Sequence, residues 1–279
     1  MKEQLLVSVI VPTYNRPGAL CELLEALSRQ TYSHMHIYIV NDAGEPVDAV
    51  VELYPELTVT VLNMERNARH VHARNRALAE VKSEYIMLCD DDDLLLPTHL
   101  ETMLEAIADY DLVYSDVEIF DYEVVNGTRR ATKRFVFAYE SDLAAMRTFS
   151  TFVSSGCLYR ASLHERLGPF DAELYNYWDW DFYLRVAQHD RVRRVPVASA
   201  LYAYGETGDN ISREVDAPPR RHYLDKLCEK HGLGELPSAN FFTLLEEPDM
   251  RARRAETTVL WDGEPFVSRL ALAYDRKED

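Results

Sequence analysis

The chain has 279 residues, of which 47 are Asp or Glu and 30 are Lys or Arg, so its formal net charge is −17 at pH 7. Nucleic-acid binders and proteins that bind anionic membranes are generally basic, so this composition disfavours both classes. The hydrophobic fraction of 47% is enough for a packed core, which argues against a globally disordered chain.

The cysteines and apolar segments indicate where the protein resides. Four cysteines lie far apart, without a CxxC pair or a zinc-site spacing, at positions 21, 89, 157 and 228. We interpret them as reduced thiols of a cytoplasmic protein. No apolar stretch approaches the roughly 18 residues of a membrane span. The apolar N-terminal run ends in a turn signal without a small-residue cleavage site, so it predicts a first strand and not a signal peptide.

The first 115 residues alternate strand and helix patterns. Such alternation is typical of βαβ units and of a parallel sheet covered on both faces, in which ligands bind at the carboxyl ends of the strands. Apolar, β-branched runs predict strands at Leu6–Val11, His36–Val40, Thr58–Leu62, Glu84–Cys89 and Leu112–Tyr114. Helical patterns lie between them at 18–30, 45–54, 70–81 and 97–108.

The pattern loosens after residue 116. Segments 116–125 and 132–138 predict a hairpin around Asn126–Gly127. Further strands are predicted at 152–160, 192–197 and 200–204, and helices at 140–149, 161–167, 178–189 and about 219–231. A charged tail with the sequence RARR at 251–254 follows.

Four consecutive aspartates, Asp90 to Asp93, follow the predicted strand YIMLC directly and precede LLLP. Adjacent carboxylates raise one another's pKa values unless a cation neutralises them. Mg²⁺ and Mn²⁺ suit such a place because they bind one or two protein carboxylates together with substrate phosphate oxygens. The sequence therefore favours a divalent-cation site here, and the alternative is a solvated acidic turn.

Other aspartate-rich motifs fail at fixed positions. Leu94 is incompatible with the DDxxD motif of prenyl-diphosphate enzymes and with the DxDx(T/V) motif of phosphatases. A calcium-binding EF-hand loop would need a central Gly and a terminal Glu at a spacing that this segment lacks. A DxD followed by a further Asp and LLLP remains.

With that segment the chain resembles the inverting glycosyltransferases of family 2, which have the GT-A fold. The motifs in order are VSVIVPTYNRP (7–17), VNDAG (40–44), ARNRAL (73–78), LCDDDDLLLP (88–97), GCLYR (156–160) and WDWDFYLRV (178–186). Each motif alone is weak, but their order and spacing match over about residues 7–212. The resemblance implies a Rossmann-like α/β fold whose mostly parallel sheet is flanked by helices, with a C-terminal extension.

The resemblance assigns residues near the first two strands to the donor nucleotide. Pro12, Thr13, Tyr14 and Asn15 would line its base and ribose, and Asp42 would accept a hydrogen bond from the base. Asp42 as a turn or helix-cap residue is the alternative.

Among the four aspartates, the resemblance assigns Asp92 to the metal, which would be Mn²⁺ or Mg²⁺. Asp91 would lie at the ribose. Asp90 would contact the nucleotide sugar, orient the loop and rank next after Asp92 as a metal ligand. Asp93 would be an N-cap or a supporting carboxylate.

The segment MERNARHVHARNRAL (64–78) supplies a candidate phosphate-binding arginine. Arg74 matches the ARN pattern and is assigned to the nucleotide sugar, because a guanidinium group suits bidentate phosphate contacts. The family usually has Gly where Arg69 stands, so this position departs from the pattern. His70 and His72 suggest a metal pair only superficially, and we expect surface or hydrogen-bonded histidines.

The segment WDWDFYLR supplies the candidate catalytic base. By resemblance Asp179 takes the proton from the acceptor hydroxyl as that oxygen attacks the anomeric carbon. Asp181, two residues later at the start of the same predicted helix, is expected to be structural or functional. Trp178 or Trp180 would offer an apolar platform to a sugar ring.

The resemblance also divides the chain. Residues 1–115 would form the nucleotide-sugar-binding half and residues 116–215 the acceptor-binding and catalytic-base half of one GT-A domain, with 216–279 as a helical or irregular extension. The Gly- and Asn-rich segment 202–212 would be a lid over the diphosphate.

The predicted function is metal-dependent, inverting transfer from a nucleoside-diphosphate sugar, with UDP favoured, to a glycan, lipid-linked or small-molecule acceptor. Homodimer formation stays open. One alternative is a non-catalytic sugar-nucleotide-binding or scaffold protein on the same fold. A nucleotidyltransferase is disfavoured, since that class needs a GxGTR-like loop where PTYNRP stands.

Overall fold

A computed structural model describes residues 6–205, 218–237 and 245–275. It has the expected α/β architecture, with a ten-stranded, mostly parallel sheet. The strands are β1 Val7–Thr13, β2 Met35–Asn41, β3 Val59–Asn63, β4 Tyr85–Leu88, β5 Leu94–Leu95, β6 Leu112–Val125, β7 Thr128–Phe137, β8 Leu158–Arg160, β9 Val192–Ala203 and β10 Thr258–Val259. The helices are α1 Pro17–Ser28, α2 Asp48–Val51, α3 His70–Leu78, α4 His99–Ala106, α5 Leu143–Met146, α6 Leu163–Leu167, α7 Trp178–Ala187, α8 Pro218–His231, α9 Pro248–Ala252 and α10 Arg269–Asp275, with a 3₁₀ turn at Ala172–Leu174.

Strand β1 is buried on both faces because its side chains alternate between two apolar layers. Val9 and Val11 pack in one layer with residues of α1 such as Leu23. Ile10 packs in the other layer, with residues of α3 and α7 such as Val71. Helices therefore cover both faces of the sheet, as the continuous apolar runs predict.

The strand order reverses beside β1. The order is β10-β9-β6-β8-β4-β1-β2-β3, with β5 and β7 paired to β9 and β6. The chain runs from β1 outward through β2 and β3, and then returns to the other side of β1 with β4. Ligands of parallel sheets bind outside the carboxyl ends of the strands at such a switch point. The residues that follow Thr13 and Leu88 are therefore where a ligand is expected.

The predicted hairpin is confirmed, and the strand predicted at 152–160 is correct only at its end. Asn126 and Gly127 have φ values of +50° and +71°, as a type I′ turn requires. Only Leu158–Arg160 forms β8, antiparallel to β4. Gly156 interrupts the extended chain with φ +82°, and a Cβ there would lie 2.8 Å from the His99 ring. The residues before Gly156 instead form a loop beside β4.

The last two predicted strands are one continuous strand, β9. Its register with β6 jumps from the pair Ser115–Val195 to the pair Asp116–Ala198, so Pro196 has no position in that ladder. Proline lacks the N–H that a ladder needs, and a bulge accommodates it without ending the strand.

Two helical predictions are too long. Within 45–54 only Asp48–Val51 is α-helical, and the following N–H groups of Leu53 and Tyr54 bond three residues back. Within 140–149 only Leu143–Met146 is α-helical. Among the described residues, no helix is long and apolar enough to cross a bilayer.

The C-terminal extension packs against the sheet and is not a free charged tail. Trp261 and Phe266 are buried in a cluster with Phe120 of β6 and Leu201 of β9. Helix α10 lies beside α1, where Arg269 stacks on Tyr54 with its Cζ 4.5 Å from the ring centroid.

The arginines of the RARR segment are used within the protein. Arg253 points inward and donates to the carbonyl oxygens of Ala145 and Phe149, at 3.4 Å each. Arg251 and Arg254 both pair with Glu246. Arg251 and Arg254 are exposed, but Glu246 offsets part of their charge.

Asp181 of α7 links this helix to α8. Its carboxylate is fully buried and accepts hydrogen bonds from Arg185 Nε at 2.8 Å and His231 Nε2 at 2.8 Å, while Lys230 Nζ lies 2.7 Å away. The role that the sequence left open for Asp181 is thus structural.

Candidate functional site

The segments that follow β1 and β4 meet at the switch point. Thr13 Oγ1, at the end of β1, donates a 2.7 Å hydrogen bond to Asp91 Oδ2, which follows β4. The Asp90 N–H donates to Ser155 Oγ at 3.1 Å, so the loop before β8 holds the start of the aspartate segment. Three chain segments distant in sequence therefore fix the four aspartates.

Each aspartate has a different set of contacts. Asp90 is half-buried and pairs with the buried Arg74. Asp92 Oδ2 lies 2.7 Å from Arg16 Nη1. Asp93 is buried, and its Oδ1 accepts a 3.1 Å hydrogen bond from the N–H of Ala203.

The surroundings of Asp91, Asp92 and Asp93 favour the uncharged forms of these three groups. Burial, followed by the charge of Asp92, raises the pKa of Asp91 to about 7. Burial also raises the pKa of Asp92, although the charge of Arg16 opposes this rise. The pKa of Asp93 is raised well above its usual range by burial and then by Asp92 and Asp90. A cation among these carboxyl groups would favour their charged forms.

The segment fits a divalent cation. One carboxylate oxygen each from Asp90, Asp92 and Asp93 lies within 4.8 Å of the others. Opposite ligands of an octahedral Mg²⁺ are about 4.2 Å apart, so small shifts would bring these oxygens into one coordination sphere. Asp93 Oδ2 is buried without a hydrogen-bond partner in the described parts of the chain, a deficit that a cation would satisfy. The geometry therefore adds Asp93 to the expected ligands.

Sequence reasoning missed two arginines that contact this segment. Arg16 lies between Asp91 and Asp92, and its position within the motif VSVIVPTYNRP is a signal that would have found it. Arg129, from β7, donates from Nη1 to the Asp92 carbonyl oxygen at 2.6 Å and from Nε to the buried Glu22 at 2.5 Å. No local pattern indicates Arg129, because 107 residues separate it from Glu22.

The positive charges around the aspartate segment do not fully balance its carboxylates, so a bound cation is electrostatically favourable. The four carboxylates face the guanidinium groups of Arg16, Arg74 and Arg129, and Glu22 takes up much of the charge of Arg129. The aspartate segment therefore carries net negative charge when all its groups are ionised.

We expect Arg129→Lys to lower the free energy of unfolding by about 1–2 kcal/mol, because an ammonium group cannot bond Glu22 and the Asp92 carbonyl oxygen as the guanidinium fork does. Loss of this support should also weaken Mn²⁺ binding by about tenfold. Urea unfolding and Mn²⁺ titration monitored by electron paramagnetic resonance measure the two effects. Arg130→Lys, at the exposed next position, should change neither, and equal behaviour of the two variants would contradict this role of Arg129.

The turn at the end of β2 lies beside the end of β1 and is held by hydrogen bonds. Asp42 is buried and its two carboxylate oxygens accept hydrogen bonds from the N–H groups of Ala68 and Arg69, at 2.8 and 2.7 Å. These contacts join the end of β2 to the segment before α3 and are not a local turn at Gly44. A carboxylate that accepts two hydrogen bonds still has lone pairs for a ligand.

The β1 motif places its residues at different depths. Pro12 is buried within β1, beyond the residues of that strand that pair with β4. Tyr14 is 46% exposed at the switch point. Asn15 has φ +55°, and its Oδ1 accepts a 2.8 Å hydrogen bond from the Glu45 N–H, which ties the two turns together. Tyr14 is thus the member of this motif with an accessible ring.

Arg69 occupies a backbone conformation that glycine favours. Its φ of +73° and ψ of 161° lie in a region that is nearly restricted to Gly and costs a non-Gly residue about 1–3 kcal/mol. Its side chain stacks on Tyr175, with Cζ 4.9 Å from the ring centroid. Arg69 therefore has the backbone conformation expected of the glycine that the family usually has at this position, although its side chain differs.

Arg69→Gly should be more stable than Arg69→Ala by about 1 kcal/mol. Both variants lose the contact with Tyr175, so their difference isolates the backbone, and the usual advantage of Ala over Gly is reversed at positive φ. Urea unfolding of the pair measures this difference. An Ala variant as stable as the Gly variant would contradict the strained conformation.

Arg74 connects the aspartates to helices α3 and α7. It is 1% exposed, its Nη1 lies 2.7 Å from His70 Nδ1, and its Cζ lies 4.1 Å from the centroid of the Trp178 ring. Nη2 is used by Asp90. The contacts of Arg74 in this structure therefore position Asp90. His70 is hydrogen-bonded as predicted, and His72 is exposed.

Asp179 lies at the start of α7, where the charges of Arg74 and Asp90 act on its carboxyl group. Its Oδ1 accepts a 2.8 Å hydrogen bond from the Trp180 N–H. Burial raises the pKa of Asp179 to about 6, the charge of Asp90 adds to this rise, and the Trp180 N–H and Arg74 oppose it. A carboxylate with a pKa close to neutral is suited to accept a proton.

The predicted tryptophan platform is wrong. Trp178 and Trp180 are 5% and 6% exposed, and Trp180 Nε1 donates to the Met146 carbonyl oxygen at 2.7 Å. Their rings pack in the core because most of the surface of α7 is buried, so that even positions two residues apart face other side chains. Residues 206–212 of the predicted lid lie outside the described residues.

Sequence comparisons agree on one family. The family model described as "Glycosyl transferase family 2" matches residues 8–168. An "Uncharacterized glycosyltransferase YwdF" of Bacillus subtilis (strain 168) is 54% identical over 264 residues, which cover 95% of this chain and 98% of that protein.

Solved structures share the fold. TarS 1–349 of S. aureus in complex with UDP-GlcNAc has a TM-score of 0.62 at 21% identity, covering 80% of this chain and 66% of that one. The mannosyltransferase PcManGT from Pyrobaculum calidifontis, in complex with GDP-Man and Mn²⁺, has a TM-score of 0.60 at 18% identity, covering 85% and 67%. The present chain spans 60% of TarS 1–349 in another of its crystal structures. These likenesses show the GT-A fold.

Proposed function

Because this chain belongs to glycosyltransferase family 2, we propose that it moves a sugar from a nucleoside-diphosphate sugar to an acceptor hydroxyl, with inversion at the anomeric carbon. One observation carries the proposal: a cluster of carboxylates lies at the switch point, and a further carboxyl group, that of Asp179, has a pKa of about 6 and lies close enough to Arg74 and Asp90 for their charges to act on it. The complexes of TarS with UDP and UDP-GlcNAc support uridine as the donor nucleoside.

The donor nucleotide would lie along the ends of β1 and β2. The exposed ring of Tyr14 offers a stacking face for the base, and the remaining lone pairs of Asp42 offer acceptors for a base N–H. Asp91, fixed by Thr13, would contact the ribose. Pro12 and Asn15 would shape this binding surface.

A divalent cation, Mn²⁺ or Mg²⁺, would be held by Asp92 with Asp90 and Asp93, and would supply positive charge to the diphosphate leaving group. The Mn²⁺ in the PcManGT complex supports this choice. Arg16, now paired with Asp92, would be displaced toward the diphosphate, whose phosphate oxygens a guanidinium group can bind.

Asp179 would act as the general base. Its carboxylate takes the proton of the acceptor hydroxyl while that oxygen forms a bond to the anomeric carbon and the bond to the diphosphate oxygen breaks. The electron pair of the broken bond leaves with the nucleoside diphosphate. One displacement accounts for inversion and needs no covalent intermediate.

The finer division of the molecule follows from these roles. Residues 1–115 would bind the donor, and residues 116–215 would bind the acceptor and supply the base. We place the enzyme in the cytoplasm. All four cysteines are free, which suits the reducing environment of that compartment, and a nucleotide-sugar donor suits it as well. A homodimer is compatible with this proposal.

A thermal-shift panel of UDP, GDP and their sugars, each with and without Mn²⁺, tests the donor. We expect UDP with Mn²⁺ to raise Tm and UDP alone to raise it much less, because ligands that bind the folded state stabilise it. Slow hydrolysis of the stabilising nucleotide sugar would separate an enzyme from a non-catalytic binding protein. Stabilisation by none of the nucleotides would refute the proposed function.

A further inference from the structure

A basic cleft lies on the other side of Arg74 from the aspartates. It has a volume of about 590 Å³ and opens between the start of α3, the 3₁₀ turn and α8. Its charged and titratable lining consists of Arg66, Arg69, His72, His222 and Lys226, with Glu173 as the acidic member. Three cations against one carboxylate give this cleft positive charge, although the whole chain has a net charge of −17.

Two of the three cationic side chains in the cleft, Arg69 and Lys226, are held by neighbouring side chains. Arg69 is stacked on Tyr175, and its Nη1 lies 3.5 Å from the Tyr223 hydroxyl. Lys226 Nζ lies 2.9 Å from Glu173 Oε2, the only carboxylate among the described lining residues. Arg66 is exposed and makes no ion pair with any described residue. An anion that enters the cleft would therefore meet a preoriented guanidinium group and a second, accessible one.

The position of the cleft separates it from the donor diphosphate. Tyr175 in its wall packs against His70 with the two rings tilted and their centroids 4.6 Å apart, and His70 contacts Arg74, which pairs with Asp90. This layer of side chains stands between the cleft and the proposed metal site. Tyr175 also precedes the proposed base by four residues in the chain. The cleft thus adjoins the start of α7, and acceptor binding would extend beyond residues 116–215 to its lining from α3 and α8.

We propose that this cleft binds a phosphate group of the acceptor, so that the acceptor is a phosphorylated polyhydroxyl compound. The inference rests on the proposed function for the identity of the reaction, but the binding of phosphate rests on the cleft alone. Arg66 and Arg69 would bind the phosphate oxygens, since guanidinium groups bind them in bidentate fashion. Lys226 would add a point charge.

Titration of the full chain with glycerol 3-phosphate, followed by nuclear magnetic resonance with glycerol as the uncharged control, tests the cleft. We expect glycerol 3-phosphate to bind and glycerol not to bind. The double variant Arg66→Gln/Lys226→Gln should weaken glycerol 3-phosphate binding at least tenfold and leave UDP binding with Mn²⁺ unchanged. Arg76→Gln, at the other end of α3 and paired with Glu80, is the matched control and should bind both ligands normally.

The variant Glu173→Gln should change glycerol 3-phosphate binding in the opposite direction. Removing the acidic member of the lining should tighten glycerol 3-phosphate binding by several-fold, which a general disturbance of the cleft would not do. The proposal is overturned if glycerol 3-phosphate binds no better than glycerol, or if the double variant weakens UDP binding as much, because the cleft would then belong to the donor site. Failure of the proposed function would appear separately, as absence of nucleotide binding and donor hydrolysis in the wild-type protein.

Discussion

Replacing Asp179 by Asn is expected to lower the rate of sugar transfer by about 10²–10⁴-fold, the usual contribution of a positioned general base. An amide has nearly the shape of a carboxyl group but cannot take the proton of the acceptor hydroxyl. Donor binding should be nearly unchanged, because Asp179 is not part of the cluster of Asp90, Asp92 and Asp93 that would hold the cation and diphosphate. Steady-state kinetics should therefore show a loss in kcat at nearly constant KM for the donor.

The pH profile of the wild type should report the same group. Asp179 must be ionised to act as a base, so kcat should rise with pH through the pKa of about 6 and level off above it. A cation bound beside Asp90 adds positive charge nearby, so the midpoint with Mn²⁺ should lie at or below that value. The residual activity of Asp179→Asn should lack this rise.

Stability separates a lost base from a damaged fold. The pKa of Asp179 is raised in the folded state, so its ionisation costs the wild type stability as the pH rises from about 4 through about 6. Asp179→Asn should consequently be more stable than the wild type at pH 8, by about 1–2 kcal/mol after allowance for partial exposure, and equally stable near pH 4. Asp109→Asn, at an exposed position, should match the wild type in activity. Wild-type transfer by Asp179→Asn would show that another group is the base.

The parts of the fold that local patterns determine were predictable. The βαβ units of the first half follow from continuous apolar runs, and the Asn126–Gly127 turn follows from the two residues that accept positive φ. The errors occur where tertiary contacts override a local signal. Pro196 suggests the end of a strand, but a bulge against β6 lets β9 continue. Gly156 lies inside an apparent strand, yet the His99 ring leaves room there for no side chain.

In the candidate site, too, some residues could be predicted from local motifs and others could not. The aspartates and Asp179 were proposed because they lie in an ordered series of motifs, and the structure brings the ends of β1 and β4 together. Arg129 could not be found, because its role arises only when the hairpin folds back on α1. The tryptophans beside Asp179 were misjudged because a sequence does not say which side of a helix faces the core. Arg69 shows the converse case, in which a residue that breaks a motif keeps its backbone geometry.

Replacing Asp92 by Asn should abolish the stabilisation that Mn²⁺ adds to UDP binding and lower transfer by roughly 100-fold or more. The amide removes one anionic ligand and the charge that would hold the cation at the diphosphate. The protein without metal should stay folded with an equal or higher Tm at pH 7, because burial raises the pKa of Asp92 and its ionised form therefore costs stability there. Arg16 would retain Asp91, 3.4 Å away, as an ionic partner.

Asp91→Asn is the matched variant, since it changes the neighbouring carboxylate of the same segment. Asp91 is bonded to Thr13 Oγ1 and is not part of the cluster of Asp90, Asp92 and Asp93. Asp91→Asn should therefore weaken UDP binding but keep the dependence of Tm on Mn²⁺, whereas Asp92→Asn should lose that dependence. Isothermal titration with Mn²⁺ in the presence of UDP measures the difference directly. If both variants lost Mn²⁺ binding to the same extent, the metal would not be held by Asp92 in preference to Asp91, and the division of roles within the four aspartates would have to be redrawn.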